Sequence, residues 1–130
     1  MLALMRLYIV RHAEAAPGSP DELRALTPHG HEQARELGRR LRDEGVRPDA
    51  ILTSPLLRAR ETAKDLGFGD SEADERLAPG AAVEDVRASV AGRGETVVVV
   101  GHQPDCGQAV LELAGVEVRF PPAGSYELEL

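Results

Sequence analysis

One cysteine, no tryptophan, one lysine and four aromatic side chains are all that these residue types contribute to a chain of 130 residues. The lone Cys106 has no partner for an internal disulfide, which suits a reducing, cytoplasmic setting. Tyr8, Phe68, Phe120 and Tyr126 are too few to supply a stacking platform for single-stranded nucleic acid. Positive charge is scarce as well: 15 basic against 22 acidic side chains leave a net charge of -7 and a pI near 5.1. The phosphate backbone of nucleic acid therefore meets net repulsion, and nucleic acid is excluded as a partner. No apolar run approaches the ~20 residues that cross a bilayer, so no membrane association is expected. The opening Met1–Met5 stretch is apolar, but Arg6 interrupts it and no small-residue cleavage pattern follows, which argues against a signal peptide. Met5 is an alternative start of translation.

What remains is ordinary globular material, 42% hydrophobic and 28% charged, with no tract biased towards disorder. This length suits one domain with its own core, spanning residues 1–130. Charge is unevenly divided. Residues 1–60 carry ten basic and eight acidic groups, residues 61–130 five and fourteen, so an anion site should draw on the first half.

The hydrophobic pattern alternates between strand and helix. Leu4–Val10 reads as an apolar strand that stops at Arg11 and His12, and Ala15–Asp21 as a loop. Thr27 followed by Pro28 is a helix start, and Ala34, Leu37, Gly38 and Leu41 recur at helical spacing up to Gly45. Ala50–Thr53 is a second short strand. Ser54 and Pro55 repeat the cap-and-proline start, ahead of an apolar face of Leu56, Ala59, Ala63 and Leu66. Gly67–Gly80 is rich in turns, with a short strand near Ala73–Leu77, and Ala82–Ala91 follows as a weaker helix. The four valines of Glu95–Val100 mark a strand buried on both faces, and Pro104–Ala114 a helix with Cys106 inward. Val116–Phe120 and Ser125–Leu130 read as a closing hairpin around Pro121 and Pro122.

Such alternation predicts an α/β fold, a three-layer α/β/α sandwich around a largely parallel sheet. Ligands of such sheets sit beyond the carboxyl ends of the strands. Arg11 and His12, Ser54 to Arg58, and Gly101 with His102 all fall at those ends. Guanidinium forks pair bidentately with phosphate oxygens, so Arg11 and Arg58 form the clamp for a phosphoryl group. Without metal-ligand clusters or a Walker-type glycine loop, and so without a cofactor, hydrolysis would run through a covalent phosphohistidine. His12 is the candidate nucleophile, and His102 the donor to phosphoryl oxygens in the transition state.

The run Leu7–Glu14 with Arg11 and His12, Leu26-Thr27-Pro28 with Gly30, Gln33, Ala34 and Leu37, Thr53-Ser54-Pro55 to Arg58, and Gly101-His102 with Pro104 together resemble the histidine phosphatase (phosphoglycerate mutase-like) superfamily. The small size resembles its SixA branch, the phosphohistidine phosphatases. The resemblance implies an α/β fold, a phosphorylated His12 and a pocket of Arg11, Arg58 and His102. Many members also carry a glutamate two residues past an Arg-Leu pair, as acid for the leaving oxygen. Here Arg76 and Leu77 lead to Pro79, which has no proton to give.

A phosphoramidate leaves as an imidazole and depends less on a dedicated acid, so phosphohistidine on a protein, such as a histidine phosphotransfer domain, is the expected substrate. Two readings stay open beside it. A phosphomonoesterase acting on a small phosphorylated compound would need an acid from elsewhere, with Glu84, Asp85 and Asp21 as candidates. A non-catalytic phosphate-binding module would keep the pocket and lack turnover. His29 and His31 face apart near a helix start and read as solvated, and Cys106 as a small buried hydrophobe. Glu14 and Asp105 flank the predicted site, either orienting its cations or solvated. Arg35, Arg39, Arg40 and Arg42 lie among acidic neighbours and read as a solvated helix face.

Overall fold

A computed structural model describes residues 4–130; Met1, Leu2 and Ala3 of the apolar opening lie outside the described residues. Strand β1 (Arg6–Arg11) leads through a 3₁₀ turn (Asp21–Leu23) to helix α1 (Pro28–Asp43). Strand β2 (Ala50–Thr53) and helix α2 (Leu57–Leu66) follow, then the two-residue strand β3 (Glu72–Ala73) and a second 3₁₀ turn (Glu75–Leu77). Helix α3 (Val83–Val90), strand β4 (Thr96–Gly101), helix α4 (Asp105–Ala114) and strand β5 (Ser125–Glu129) complete the order. The five strands lie in the order β3-β2-β4-β1-β5. All neighbours are parallel except β5, which runs antiparallel to β1.

Side-chain alternation along the central strands separates two cores. Leu7 and Ile9 of β1, with Val97 and Val99 of β4, pack with Val86, Val90, Cys106 and Val110 from α3 and α4. Tyr8 and Val10, with Val98 and Val100, pack with Leu37, Leu41, Ala59, Ala63 and Leu66 from α1 and α2. The four valines are thus shared between both faces, each contributing roughly 1.5–3 kcal/mol on full burial. The expected three-layer sandwich is present. Among the described residues no helix is long and apolar enough to cross a membrane.

Two glycines allow α1 to sit where it does. A Cβ on Gly38 would overlap the backbone of Leu66 at the end of α2, and one on Gly30 would overlap the backbone of Glu14. Gly30 also donates its N–H to the Thr27 hydroxyl at 2.9 Å, the cap expected at this helix start. The segment after His12 and the two helices on this face are therefore in backbone contact.

Three local expectations are corrected. Val116–Phe120 is not a strand, and no closing hairpin forms; β5 pairs with β1 alone. Val116, Glu117 and Arg119 are exposed, Phe120 is buried in the core, and the Phe120 carbonyl is taken by the Arg11 side chain, so the segment has no ladder to join. The strand near Ala73–Leu77 shrinks to β3, because the Asp74 carboxylate takes the Arg76 N–H and winds the chain into a 3₁₀ turn. Ser54 does not cap α2, which begins at Leu57; its fully buried side chain is committed to a histidine described below.

Gly38→Ala is expected to destabilise the fold by about 1–3 kcal/mol, because the Leu66 backbone cannot give way as a flexible side chain would. Urea unfolding of this variant beside Gly45→Ala, a glycine with open space around it at φ 84, separates close approach from backbone strain.

Candidate active site

The last rung of the β1–β4 ladder pairs Arg11 with Gly101, and His12 and His102 each follow one residue later. The two imidazole centroids are 5.3 Å apart, tilted by 59°. The His12 main chain is fixed on both sides. Its N–H donates to the Gly101 carbonyl at 3.0 Å, and the next N–H, of Ala13, donates to the Thr62 hydroxyl at 2.9 Å. Thr62 in turn donates to the Arg58 carbonyl one helical turn earlier, at 2.7 Å. The same helix thus sets Arg58 and the backbone beside His12.

His12 Nδ1 lies 2.7 Å from the carbonyl of Ala13. A carbonyl only accepts, so Nδ1 carries the proton and Nε2 keeps its lone pair. Burial lowers the His12 pKa, and the positive charges of Arg58, Arg11 and Arg24 lower it further, outweighing the opposite pull of the Ala13 bond. The ring is neutral near pH 7. His102 is pushed down to about 4, first by burial and then by His12 and Arg58. Its Nε2 lies 2.7 Å from the Ser54 hydroxyl, which also accepts the Leu56 N–H at 3.2 Å. This His102–Ser54 pair has two polar hydrogens and spends one on the bond between them, so one remains for a ligand.

The arginines are held by backbone carbonyls. One terminal nitrogen of Arg11 donates to the Phe120 carbonyl at 2.9 Å, while its Nε is buried without a partner among the described residues. A buried N–H left without an acceptor is costly, and an anion in the crevice would satisfy it. Arg58 donates to the Asp21 carbonyl at 2.9 Å and to its carboxylate at 3.2 Å. Arg24 donates to the other Asp21 oxygen at 3.1 Å and to the Ala16 carbonyl at 2.8 Å. Asp21 is held below the usual carboxylate range by hydrogen bonds from Arg24 and Arg58, so it stands ionised.

The structure therefore brings together Arg11, His12, Arg58 and His102. Of the three candidate acids, only Asp21 touches this group, and its ionisation suits acceptance of a proton bond rather than donation of a proton. Asp85 caps its own helix through the Ala82 N–H, and Glu84 is exposed on α3. Glu14 takes the Thr27 hydroxyl and Asp105 the Gly80 N–H, so neither orients an arginine or histidine of the pocket. His29 is exposed as expected, but His31 is half-buried and bonded to Asp65, tying α1 to α2. Sequence reasoning missed Arg24, Ser54's partnership with His102, and Thr62. Ser54 and Thr62 act through partners distant in the chain, whereas the Asp21–Arg24 spacing of three was a visible signal.

The family model described as histidine phosphatase superfamily (branch 1) matches residues 7–79. Phosphohistidine phosphatase SixA of Escherichia coli is 31% identical over 91% of this chain and 78% of its own length. A Picosynechococcus protein described as uncharacterised is 36% identical over 80% of this chain and 70% of its own length. Among solved structures, protein histidine phosphatase SixA complexed with tungstate superposes with a TM-score of 0.83 at 29% identity, covering 92% of this chain and 84% of that one. A protein described as the SixA of Agrobacterium tumefaciens gives 0.82 at 27% identity, with 96% and 91% covered. On these matches, with two histidines and two arginines gathered at the strand ends, this chain belongs to the histidine phosphatase superfamily. It is a phosphatase of the histidine phosphatase type.

Because the folded His102 binds its proton less readily than the ordinary value of 6.5, the unfolded chain takes up protons first as pH falls. Stability is expected to be intact above 6.5 and to decline progressively from there down to about 4. Melting temperatures across that interval should fall less steeply in His102→Gln, which titrates in neither state.

Proposed function

We propose that this phosphatase removes phosphate from histidine, foremost phosphohistidine carried on a protein such as a phosphotransfer domain, through a phosphorylated His12. The observation that carries this reading is the state of His12: neutral, with Nδ1 locked on the Ala13 carbonyl and Nε2 left with its lone pair among three arginines.

His12 Nε2 attacks phosphorus, the P–N bond of the substrate breaks, and its electron pair returns to the departing ring nitrogen. With the distal nitrogen of that ring protonated, the leaving group is neutral imidazole. Arg11, Arg58 and the spare hydrogen of the His102–Ser54 pair meet the phosphoryl oxygens as charge shifts between them. Water then attacks the phosphorylated His12, the new P–N bond breaks, both water protons stay with the phosphate as dihydrogen phosphate, and His12 is again neutral.

A phosphate ester leaves as an alkoxide and calls for an acid. Pro79 has none, Asp85 is committed to a cap, and Asp21 is held ionised. The leaving imidazole, protonated at its far nitrogen, needs no such donor. These features favour the phosphoramidate, and the likeness to SixA proteins supports the same substrate.

The test is phosphate release from a phosphohistidine-bearing phosphotransfer domain and, in parallel, from an aryl phosphate, with chelator present. Wild type is expected to act far faster on phosphohistidine and His12→Ala on neither. A preference for the aryl ester would establish a general phosphomonoesterase, and binding without turnover a phosphate-docking module. Label from the substrate should appear on His12 as an acid-labile, alkali-stable adduct. Arg58→Ala should lower kcat by about 10²-fold or more, the scale seen on removing a donor to developing charge.

A further inference from the structure

Asp21 is, among the described residues, the one carboxylate hydrogen-bonded to a member of the Arg11, His12, Arg58 and His102 group. It spans two environments: its side chain is 60% exposed while that of Arg58, to which it is bonded, is 8% exposed. The carboxylate therefore stands at the rim, where the buried phosphoryl site opens to solvent. Its placement is determined from both ends, by Arg58 on one oxygen and its own carbonyl, and by Arg24 on the other oxygen. Arg24 is itself anchored on the Ala16 carbonyl at 2.8 Å, within a loop closed by the Ala15–Leu26 bridge.

Each carboxylate oxygen has two acceptor positions, and each here receives one arginine N–H. Acceptor capacity is left on the solvent side. In-line displacement by His12 places the leaving group opposite its Nε2, on the far side of phosphorus from the strand ends. A departing imidazole carries one N–H on its far nitrogen. An alcohol or phenol leaving group carries none there.

Resting on the phosphohistidine reading, we infer that the Asp21 carboxylate accepts the distal ring N–H of the leaving imidazole and thereby selects phosphohistidine over phosphate esters. The carboxylate stabilises the ring protonated at its far nitrogen. When the P–N bond breaks, the electron pair goes to the near nitrogen, the far proton stays in place, and neutral imidazole departs. No proton passes to Asp21, in keeping with the two arginines that hold it ionised. The residue does by acceptance what a glutamic acid at the Pro79 position would do for an ester by donation.

The experiment compares kcat/KM for free phosphohistidine and for p-nitrophenyl phosphate in wild type and Asp21→Asn. Both values are free to fall as Arg58 loses a partner, so the readout is their ratio. A charge-assisted hydrogen bond lost on one substrate only should lower the phosphohistidine to aryl phosphate ratio about tenfold or more. An unchanged ratio overturns the inference and reduces Asp21 to a positioning residue for Arg58. Wild type alone provides a second measurement that needs no folded variant. Rates on 1-phosphoimidazole and 1-methyl-3-phosphoimidazolium, each divided by its spontaneous hydrolysis, should favour the N–H-bearing ring by about tenfold, and equality would overturn the inference. If wild type turns over the aryl ester and no phosphoramidate, the substrate reading itself fails, and this inference with it.

Discussion

Arg11 and Gly101 face each other at the end of a parallel ladder, and everything at the crevice follows from that pairing. Parallel strands end on the same side, so the polar residues that follow each of them arrive together. His12 and His102 reach a ring separation of 5.3 Å because β1 and β4 are central, adjacent and in this register. The register is strongly specified: a slip of β1 by one residue would turn Leu7 and Ile9 away from the core they share with Val97 and Val99 and send Tyr8 and Val10 into it.

Helix α2 is the second determinant. Its first turn carries Arg58, and its next turn carries Thr62, whose hydroxyl holds the backbone just past His12. Glu61, between them in sequence, takes the Leu26 N–H at 2.8 Å and so anchors the segment that leads into α1. Ala59 and Ala63 are completely buried on the inner face, small enough to let the helix approach the sheet. One short helix therefore supplies a cation to the pocket and anchors two loops around it. Gly38 lets α1 lie directly against its end.

The electrostatics of the crevice are set against the composition of the chain. A net charge of -7 surrounds a pocket where Arg11, Arg24 and Arg58 converge. Burial, with Arg58 and Arg11 nearby in both cases, favours the neutral form of both histidines, which one of them needs to attack phosphorus. Backbone carbonyls of Ala16, Asp21 and Phe120 hold the guanidinium groups without neutralising them. Among the described residues only Asp21 opposes them with a full charge, and it does so from a position open to solvent.

Much of this was legible in the amino-acid order. Apolar runs ending at Arg11-His12 and Gly101-His102 announced strands with polar tips, and the four valines announced a sheet covered on both faces. Thr27 before Pro28 marked the start of α1. These signals are local, since a strand's periodicity and a helix cap lie within a few residues of one another. The irregular segment 116–124 misled because alternation alone suggests a strand, whereas Pro121, Pro122 and the capture of the Phe120 carbonyl by Arg11 decide otherwise. Ser54 likewise looked like a helix cap, and only the arrival of β4 beside β2 turns it towards His102. The sequence by itself thus determined which elements form, in what order, and which residues stand at their ends. Tertiary structure alone decided which nitrogen of His12 keeps its proton, which carbonyl each arginine takes, and that Asp21 stands beside Arg58. These depend on contacts between residues up to 109 positions apart, such as Arg11 and Phe120, which no local pattern encodes.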